Sequence, residues 1–379
     1  MKKNKKTRVI DGKEYEDRRV SLKDEEKEII ESLRATGVVP NQHLISSDRN
    51  IIKIKENYEE LRKRYSGLLK EHEKLQEVFN FATEIENMKF NKMKIKPKST
   101  KTAVGEATAV FMASDWHVGE RVTLESVSNL NVYNPQTARA RAHSFFRKGL
   151  FLTDVVRKGI KIRDLVLYLG GDFLSGYIHK ELEESNYMSP IEETMFATEL
   201  LSEGIDFLLD EGGFDTITVP CSVGNHARTT EKFRISTEHQ NNFEYLMYMN
   251  IAKMYRNNPR IRFIIPKSYF TYYTVYDRFK LRCHHGHACK FYGGVSGISL
   301  VINKSINLWN KQEREKVYID LVGHFHQSND FNNCITNGSV VGYNAFALTN
   351  KFPFEEPCQQ FFTIDKERGK TFVAPIFVN

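Results

Sequence analysis

Nowhere does this 379-residue chain string together the roughly 20 apolar residues that a membrane-spanning helix needs, so no membrane partner is expected. Cysteine is scarce and odd in number. Cys221, Cys283, Cys289, Cys334 and Cys358 are scattered singly, which argues against a disulfide framework and for reduced thiols in a cytoplasmic compartment. The basic start, Met1-Lys2-Lys3-Asn4-Lys5-Lys6, is followed by no hydrophobic segment, so no secretory signal is read there. No internal repeat is visible.

What is present describes a globular protein of more than one unit. Hydrophobic residues make up 40% and charged residues 27% of the chain, the balance of a soluble protein, and the length exceeds what one small core needs. The net charge of +7 is unevenly placed: residues 1–100 carry 24 Lys+Arg against 18 Asp+Glu, a balance of +6. A basic appendage on a near-neutral body fits phosphate-backbone binding, and equally a solvated tail.

Residues 1–20 read as a flexible basic tail. A helix is expected over 21–36, with Ser21 as cap and Asp24, Glu25 and Glu26 in its first turn, broken at Gly37. With a short element over 40–47 it makes a weak helix-turn-helix pattern. Beyond it, Ile51, Ile54, Tyr58, Leu61, Tyr65, Leu68, His72, Leu75 and Phe79 alternate spacings of 3 and 4. That is a heptad seam of about four heptads with Ile, Leu, Leu and Leu at the d positions. Such a stripe must be buried, either against a second copy, which is the favoured partner, or against another helix of the same chain. His72 at an a position reads as a register-setting polar residue. The helical, coiled-coil region is thus placed at 21–88, a lysine-rich linker at 89–106, and the main domain at 107–379.

In the main domain short apolar runs alternate with helical patterns. Strands are expected over 109–113, 165–169, 216–219, 261–265, 279–283 and 317–322, and helices around 136–158, 191–210, 240–256 and 298–313. A terminal run of hairpin strands is expected over 343–348, 361–364 and 371–377. The fold class is therefore layered α/β with a mixed sheet.

Five short clusters follow the expected strands in order: Asp115-Trp116-His117, Gly171-Asp172, Gly224-Asn225-His226, His285-Gly286-His287 and Gly323-His324-Phe325-His326. Seven of the twelve histidines fall in or beside them. In an open α/β sheet the carboxyl ends of the strands face one crevice, so these side chains can converge. Carboxylate, amide oxygen and imidazole are the ligands that a pair of Mn²⁺, Fe²⁺ or Zn²⁺ ions wants. Two such ions about 3.5–4 Å apart can bind the attacking water and the phosphoryl oxygens of an in-line displacement.

The ordered set D-x-H, G-D, G-N-H, H-G-H and G-H-x-H resembles the calcineurin-like metallophosphoesterase superfamily over about residues 107–379. The likeness is closest to phage- and prophage-type phosphoesterases and to the phosphoesterase subunits of DNA-repair exonucleases. It implies a sandwich of mixed β-sheets flanked by helices and two divalent ions, Mn²⁺ first, with Fe²⁺, Zn²⁺ or Ni²⁺ as alternatives. By the same resemblance Asp115, His117 and His326 hold one metal and Asn225, His285 and His324 the other. Asp172 bridges them, and His226 is the unligated acid near the scissile phosphate. The chain departs from the pattern after G-N-H, where many members are acidic and this one has Ala227-Arg228. Arg228 and Arg234 are candidate contacts to a substrate phosphate. In Cys283-His284-His285-Gly286-His287-Ala288-Cys289 either His284 or His285 can be the ligand, and Cys283, His285, His287 and Cys289 form an alternative zinc set. Residues 175–189 read as a lid or an ordinary loop, and the glycine-rich stretch 291–297 as a phosphate cradle or simple packing.

The expected activity is a two-metal phosphodiesterase acting on DNA, exo- or endonucleolytic, dimerised through the seam. A Ser/Thr-type protein phosphatase is the alternative, but Asp-Arg-Gly is missing after Gly171-Asp172. A small-molecule phosphodiesterase would have no need of the N-terminal appendage, and a non-catalytic scaffold would leave a complete ligand set unexplained.

Overall fold

A computed structural model describes residues 7–10, 13–16, 44–87, 105–289 and 297–379. The chain divides into two compact units, Met1–Pro97 and Lys98–Asn379.

In the first unit β1 (Thr7–Ile10) pairs antiparallel with β2 (Lys13–Glu16), Thr7 opposite Glu16 and Ile10 opposite Lys13. The sequence reading took this stretch as a flexible tail. The expected helix over 21–36 lies outside the described residues, as does the linker over 89–104. A single helix, α1 (Leu44–Asn87), then runs for 44 residues, about 66 Å at the α-helical rise. Its d positions Ile54, Leu61, Leu68 and Leu75 are each about two-thirds exposed.

The second unit is α/β, with two mixed sheets flanked by helices. The six-stranded sheet has the order β13-β12-β3-β4-β5-β6. Here β3 (Glu106–Ala113), β4 (Lys161–Leu169), β5 (Thr216–Pro220) and β6 (Ile261–Ile264) are parallel. β12 (Cys358–Asp365) runs antiparallel to β3 and to β13 (Gly369–Phe377). The five-stranded sheet has the order β10-β11-β9-β8-β7, from β7 (Thr271–Val275), β8 (Phe279–His284), β9 (Ile319–Val322), β10 (Asn329–Phe331) and β11 (Cys334–Thr336).

The period-2 alternation of side chains sorts the strands' residues between cores. Ala107, Ala109, Phe111 and Ala113 of β3 and Leu165, Leu167 and Leu169 of β4 pack into the large core with α2 (Pro135–Arg157), α4 (Pro190–Asp210) and α5 (Phe243–Met254). Val110, Met112, Val166 and Tyr168 on the opposite face meet Leu281, Cys283, Ile319 and Leu321, so the two sheets share a core. Ile298, Ile302 and Ile306 of α6 (Gly297–Asn310) cover the far side of the five-stranded sheet through Val322 and Cys334. The helix starts are set locally. Asn134 accepts from Thr137 N before Pro135, and Ser189 and Glu192 form a reciprocal capping box around Pro190.

One expected strand is a helix. Residues 343–348 carry α7 (Ala345–Asn350), because Asn344 caps it by accepting from Ala347 N and Ala-Phe-Ala-Leu favours helix. Three short strands (β7, β10 and β11) and the one-and-a-half-turn helix α3 (Lys180–Ser185) were not foreseen. Among the described residues no helix is long and apolar enough to cross a membrane. All five cysteines are free and buried.

Candidate metal centre

The clusters leave five strand ends. Asp115 and His117 follow β3, Asp172 follows β4, and Asn225 and His226 follow β5, all from the six-stranded sheet. His285 follows β8, and His324 and His326 follow β9, from the five-stranded one. The site therefore straddles the two sheets.

Their ligand atoms converge. Asp115, His117 and His326 form one group whose atoms lie within 4.8 Å of one another, and Asp172, His285 and His324 form another. Asp172 also groups with His117 and His226, so its carboxylate stands between the two sets. His117 Nε2 and His326 Nε2 are 3.2 Å apart, and His326 Nε2 is 3.4 Å from Asp115 Oδ1. His285 Nε2 approaches Asp172 Oδ2 to 2.8 Å without the alignment of a hydrogen bond. Asn225 Oδ1 is buried and has no hydrogen-bond partner. Imidazole nitrogens facing one another, an orphaned amide oxygen and two carboxylates in one buried place fit a divalent cation. These clusters of His and Asp can hold a metal ion.

The backbone is bent to bring them there. Asp115, His117, Asp172, His324 and His326 all have positive φ, between 45° and 70°. Non-glycine residues enter this region at a cost, and five in one site mark a functional constraint. The loops are cross-braced by Asp115 N to Gly171 O at 2.9 Å and His117 N to Asp172 O at 3.1 Å. Asp115 Oδ1 accepts from His324 N at 2.9 Å, and Asp172 Oδ1 from His226 N at 2.8 Å. Gly171 and Gly224 lie back to back. A Cβ on Gly171 would meet Gly224 N at 2.3 Å, and one on Gly224 would meet Asp172 Oδ1 at 2.0 Å.

The structure separates the neighbouring histidines of the fourth cluster. His284 is the last residue of β8, on the face that Arg282 shares, and its Nε2 lies 3.4 Å from Asp320 beneath the Trp309 ring. His285 turns the other way, to Asp172. Its Nδ1–H donates to Gly170 O at 2.8 Å, which turns Nε2 toward the site. His287 lies 3.0 Å from Glu238 and packs on Phe233. Cys283 and Cys289 belong to different cores, so the four-residue zinc set does not assemble.

Charge follows from burial. Burial holds His117 well below its usual pKa and brings His324 down to about 3, so both rings are neutral and able to ligate. Burial also opposes charging His285, but the Asp172 carboxylate outweighs it and pushes the ring up to about 10. Burial raises Asp172 in turn, yet His285 and His226 together hold it well below the ordinary carboxylate range. In the metal-free protein His285 therefore carries a proton at neutral pH. A folded pKa above the unfolded 6.5 adds stability that is complete below about pH 6.5 and is lost as pH rises through about 10. Because a metal needs the neutral ring, binding at pH 7 should release about one proton from His285. Titration calorimetry in buffers of different ionisation enthalpy would count it, and a count of zero would mean that His285 is not a ligand.

Sequence reasoning missed the braces around the ligands. Glu244, fully buried on α5, accepts from Phe173 N and Gly224 N at 2.7 Å each, and Asn242 donates to Gly224 O at 2.8 Å. These residues tie the Asp172 loop to the Asn225 loop. Their only sequence signal is Asn242 as an ordinary helix cap. Glu193 does the same for residues 175–189. It accepts from Gly176 N at 2.8 Å and Asn186 Nδ2 at 3.2 Å, and burial pushes its pKa up to about 8. That segment is accordingly pinned at both ends, with Tyr187 N donating to Gly119 O at 2.8 Å.

A cleft of about 670 Å³ opens over the site. Its floor is His117, Asp172, Asn225, His226, His324 and His326, and its walls come from α3, α7 and the loop following Arg121. The two arginines picked from sequence do not line it. Arg228 directs Nε, Nη1 and Nη2 to the carbonyls of Thr230, Asn225 and Glu231 and so braces its own loop. Arg234 is exposed on the same loop. Arg121 lines the cleft instead. Of the stretch 291–297 only Gly297 lies within the described residues.

No protein-family model matches this chain, and no curated protein matches it either.

Proposed function

We propose that the chain is a two-metal phosphodiesterase of the calcineurin-like type, with its metallophosphoesterase sandwich formed by the two mixed sheets, and that DNA is its substrate. The observation that carries this reading is the convergence, from five strand ends, of six His and Asp side chains in two groups, with the orphaned Asn225 amide oxygen lining the same cleft. Five of these residues hold left-handed backbone to be there. Asp115, His117 and His326 would hold one ion, Asn225, His285 and His324 the other, with Asp172 contributing to both. Mn²⁺ is the first choice, ahead of Fe²⁺, Zn²⁺ and Ni²⁺. When bound, such ions supply charge neutralisation and Lewis acidity to a phosphoryl group and its nucleophile.

The chain's own groups do the rest. His226 Nδ1–H donates to Ser175 O at 2.7 Å, which fixes the ring and leaves Nε2 toward the cleft. Burial lowers its pKa although Asp172 pulls the other way, so the ring is neutral at rest. An anionic diester beside it favours the protonated form, and the proton is then available to the leaving oxygen. Arg121 offers a guanidinium to a neighbouring phosphate.

The deciding experiment is hydrolysis by the full-length protein with Mn²⁺ of linear double-stranded, single-stranded and circular DNA beside a generic chromogenic diester. His226→Ala should lower kcat about 10²- to 10⁴-fold with metal content unchanged. DNA cleavage lost in that variant supports the nuclease, and cleavage of circles marks endonuclease action. Turnover of the dye with intact DNA would instead assign a small-molecule or protein phosphoester.

The α1 seam fits a two-stranded coiled coil, because its d positions are exposed and charged residues such as Glu59, Glu60, Arg62 and Lys63 flank them. The reading is a homodimer that presents two basic N-terminal segments to a polyphosphate backbone. Leu61→Asp with Leu68→Asp should convert the dimer to monomer in sedimentation equilibrium. A wild-type monomer at micromolar concentration would end this part of the reading.

A further inference from the structure

The wall of the cleft beside the metal floor carries one open aromatic ring. Phe346, on α7, is 40% exposed and lines the cleft. Its centroid lies 5.3 Å from the ring of His326, at an interplanar angle of 56°. Phe352 meets it edge-on at 5.7 Å, which steadies the ring and leaves a face uncovered. The helix beneath is held in place. Asn344, its cap, donates to the buried Glu120 at 2.8 Å, and Asn350 Nδ2 donates to the Phe346 carbonyl at 2.9 Å. Arg121, which also lines the cleft, is exposed and lies over the Tyr187 ring at 5.7 Å.

A rigid aromatic with a free face, one imidazole away from the metal floor, suits a flat π-surface. A cation at the rim suits a second phosphate. Leu182 is the apolar side chain on the α3 wall of the cleft, and on the α7 wall the Asn344 amide is engaged with Glu120 and Ala347 N and the Asn350 Nδ2 with the Phe346 carbonyl.

We propose that Phe346 is a nucleobase-stacking subsite: the scissile phosphate lies on the floor, the base of the same nucleotide lies against Phe346, and the adjoining phosphate lies at Arg121. This rests on the phosphodiesterase reading and narrows its substrate to nucleotides whose base is unpaired at the site.

The test uses two chromogenic diesters with the same p-nitrophenolate leaving group, one a thymidine 5′-ester and one a methyl ester. The full-length Mn²⁺-loaded protein is expected to prefer the thymidine ester by about ten- to a hundredfold in kcat/KM. Phe346→Ala and Phe346→Leu should bring that ratio to near one, while Phe346→Trp keeps it. Leu retains apolar volume against Phe352, so a loss shared by Ala and Leu is a loss of the ring and not of folding. A ratio that survives in both variants, or a wild-type ratio near one, overturns the proposal. Equilibrium binding separates the proposal from the reading beneath it. If neither diester is turned over, thymidine 5′-monophosphate and inorganic phosphate are titrated onto the same proteins. Tighter binding of the nucleotide that depends on Phe346 upholds the subsite and removes the hydrolase. Equal binding removes the subsite.

Discussion

Asp172→Asn should lower kcat/KM on a nucleotidyl diester by about 10³-fold, which corresponds to about 4 kcal/mol of transition-state stabilisation. The substitution keeps the shape of the side chain and the oxygen that accepts from His226 N. It removes the charge that stands between both ligand groups. It also removes what raises His285, so the variant should lose the proton release expected of the wild type along with its metal. Elemental analysis of the purified protein, read beside the kinetics, separates the two effects. Activity within tenfold of wild type would take Asp172 out of the centre.

The largest effect on stability is expected at a residue that touches no ligand atom. Glu244→Ala leaves Phe173 N and Gly224 N without acceptors in a buried place. Each such loss costs about 1–3 kcal/mol, and a broken buried charged brace about 3–5 kcal/mol in all. In a domain this large that is a fall in Tm of roughly 10 °C. Glu244→Gln keeps one acceptor and turns an amide N–H toward the other donor, so it should fall between. Burial, and then the charge of Asp172, pushes Glu244 up to about 7. Calorimetry of the metal-free proteins reads the loss directly. A Glu244→Ala variant as stable as wild type would show that the two loops hold each other without it.

These two residues mark what was and was not legible in the chain. Asp172 announces itself: it follows a glycine at the end of an apolar run and belongs to an ordered set of clusters. Strand-end placement also located Asn225 and His324. Between His284 and His285 the sequence favours His285, which directly precedes the glycine, and the strand's side-chain alternation turns the two rings apart, with His284 on the Arg282 face. Glu244 and Glu193 are invisible in the sequence because a helical carboxylate looks like any solvated residue until tertiary packing buries it. Arg228 illustrates a related limit of spacing, since its guanidinium meets loop carbonyls here. A guanidinium near the site is as useful to backbone carbonyls as to phosphate, and only the loop's path shows which it meets. Residues 343–348 were read as strand from their apolar run, and the cap at Asn344 was overlooked.

Asp115, Asp172 and Asn225 come from one sheet, and His285, His324 and His326 from the other. A centre built this way would be a rivet through two plates, since Asp115 and His117 meet His326, and Asp172 meets His285 and His324, only across the two sheets. The holes align only after the sheets have met, so a cation held there would arrive late in folding and add little to the speed of that meeting. Its grip is felt in the reverse direction. Loading should slow unfolding far more than it quickens refolding, and a chelator should shorten the protein's lifetime before it changes its shape.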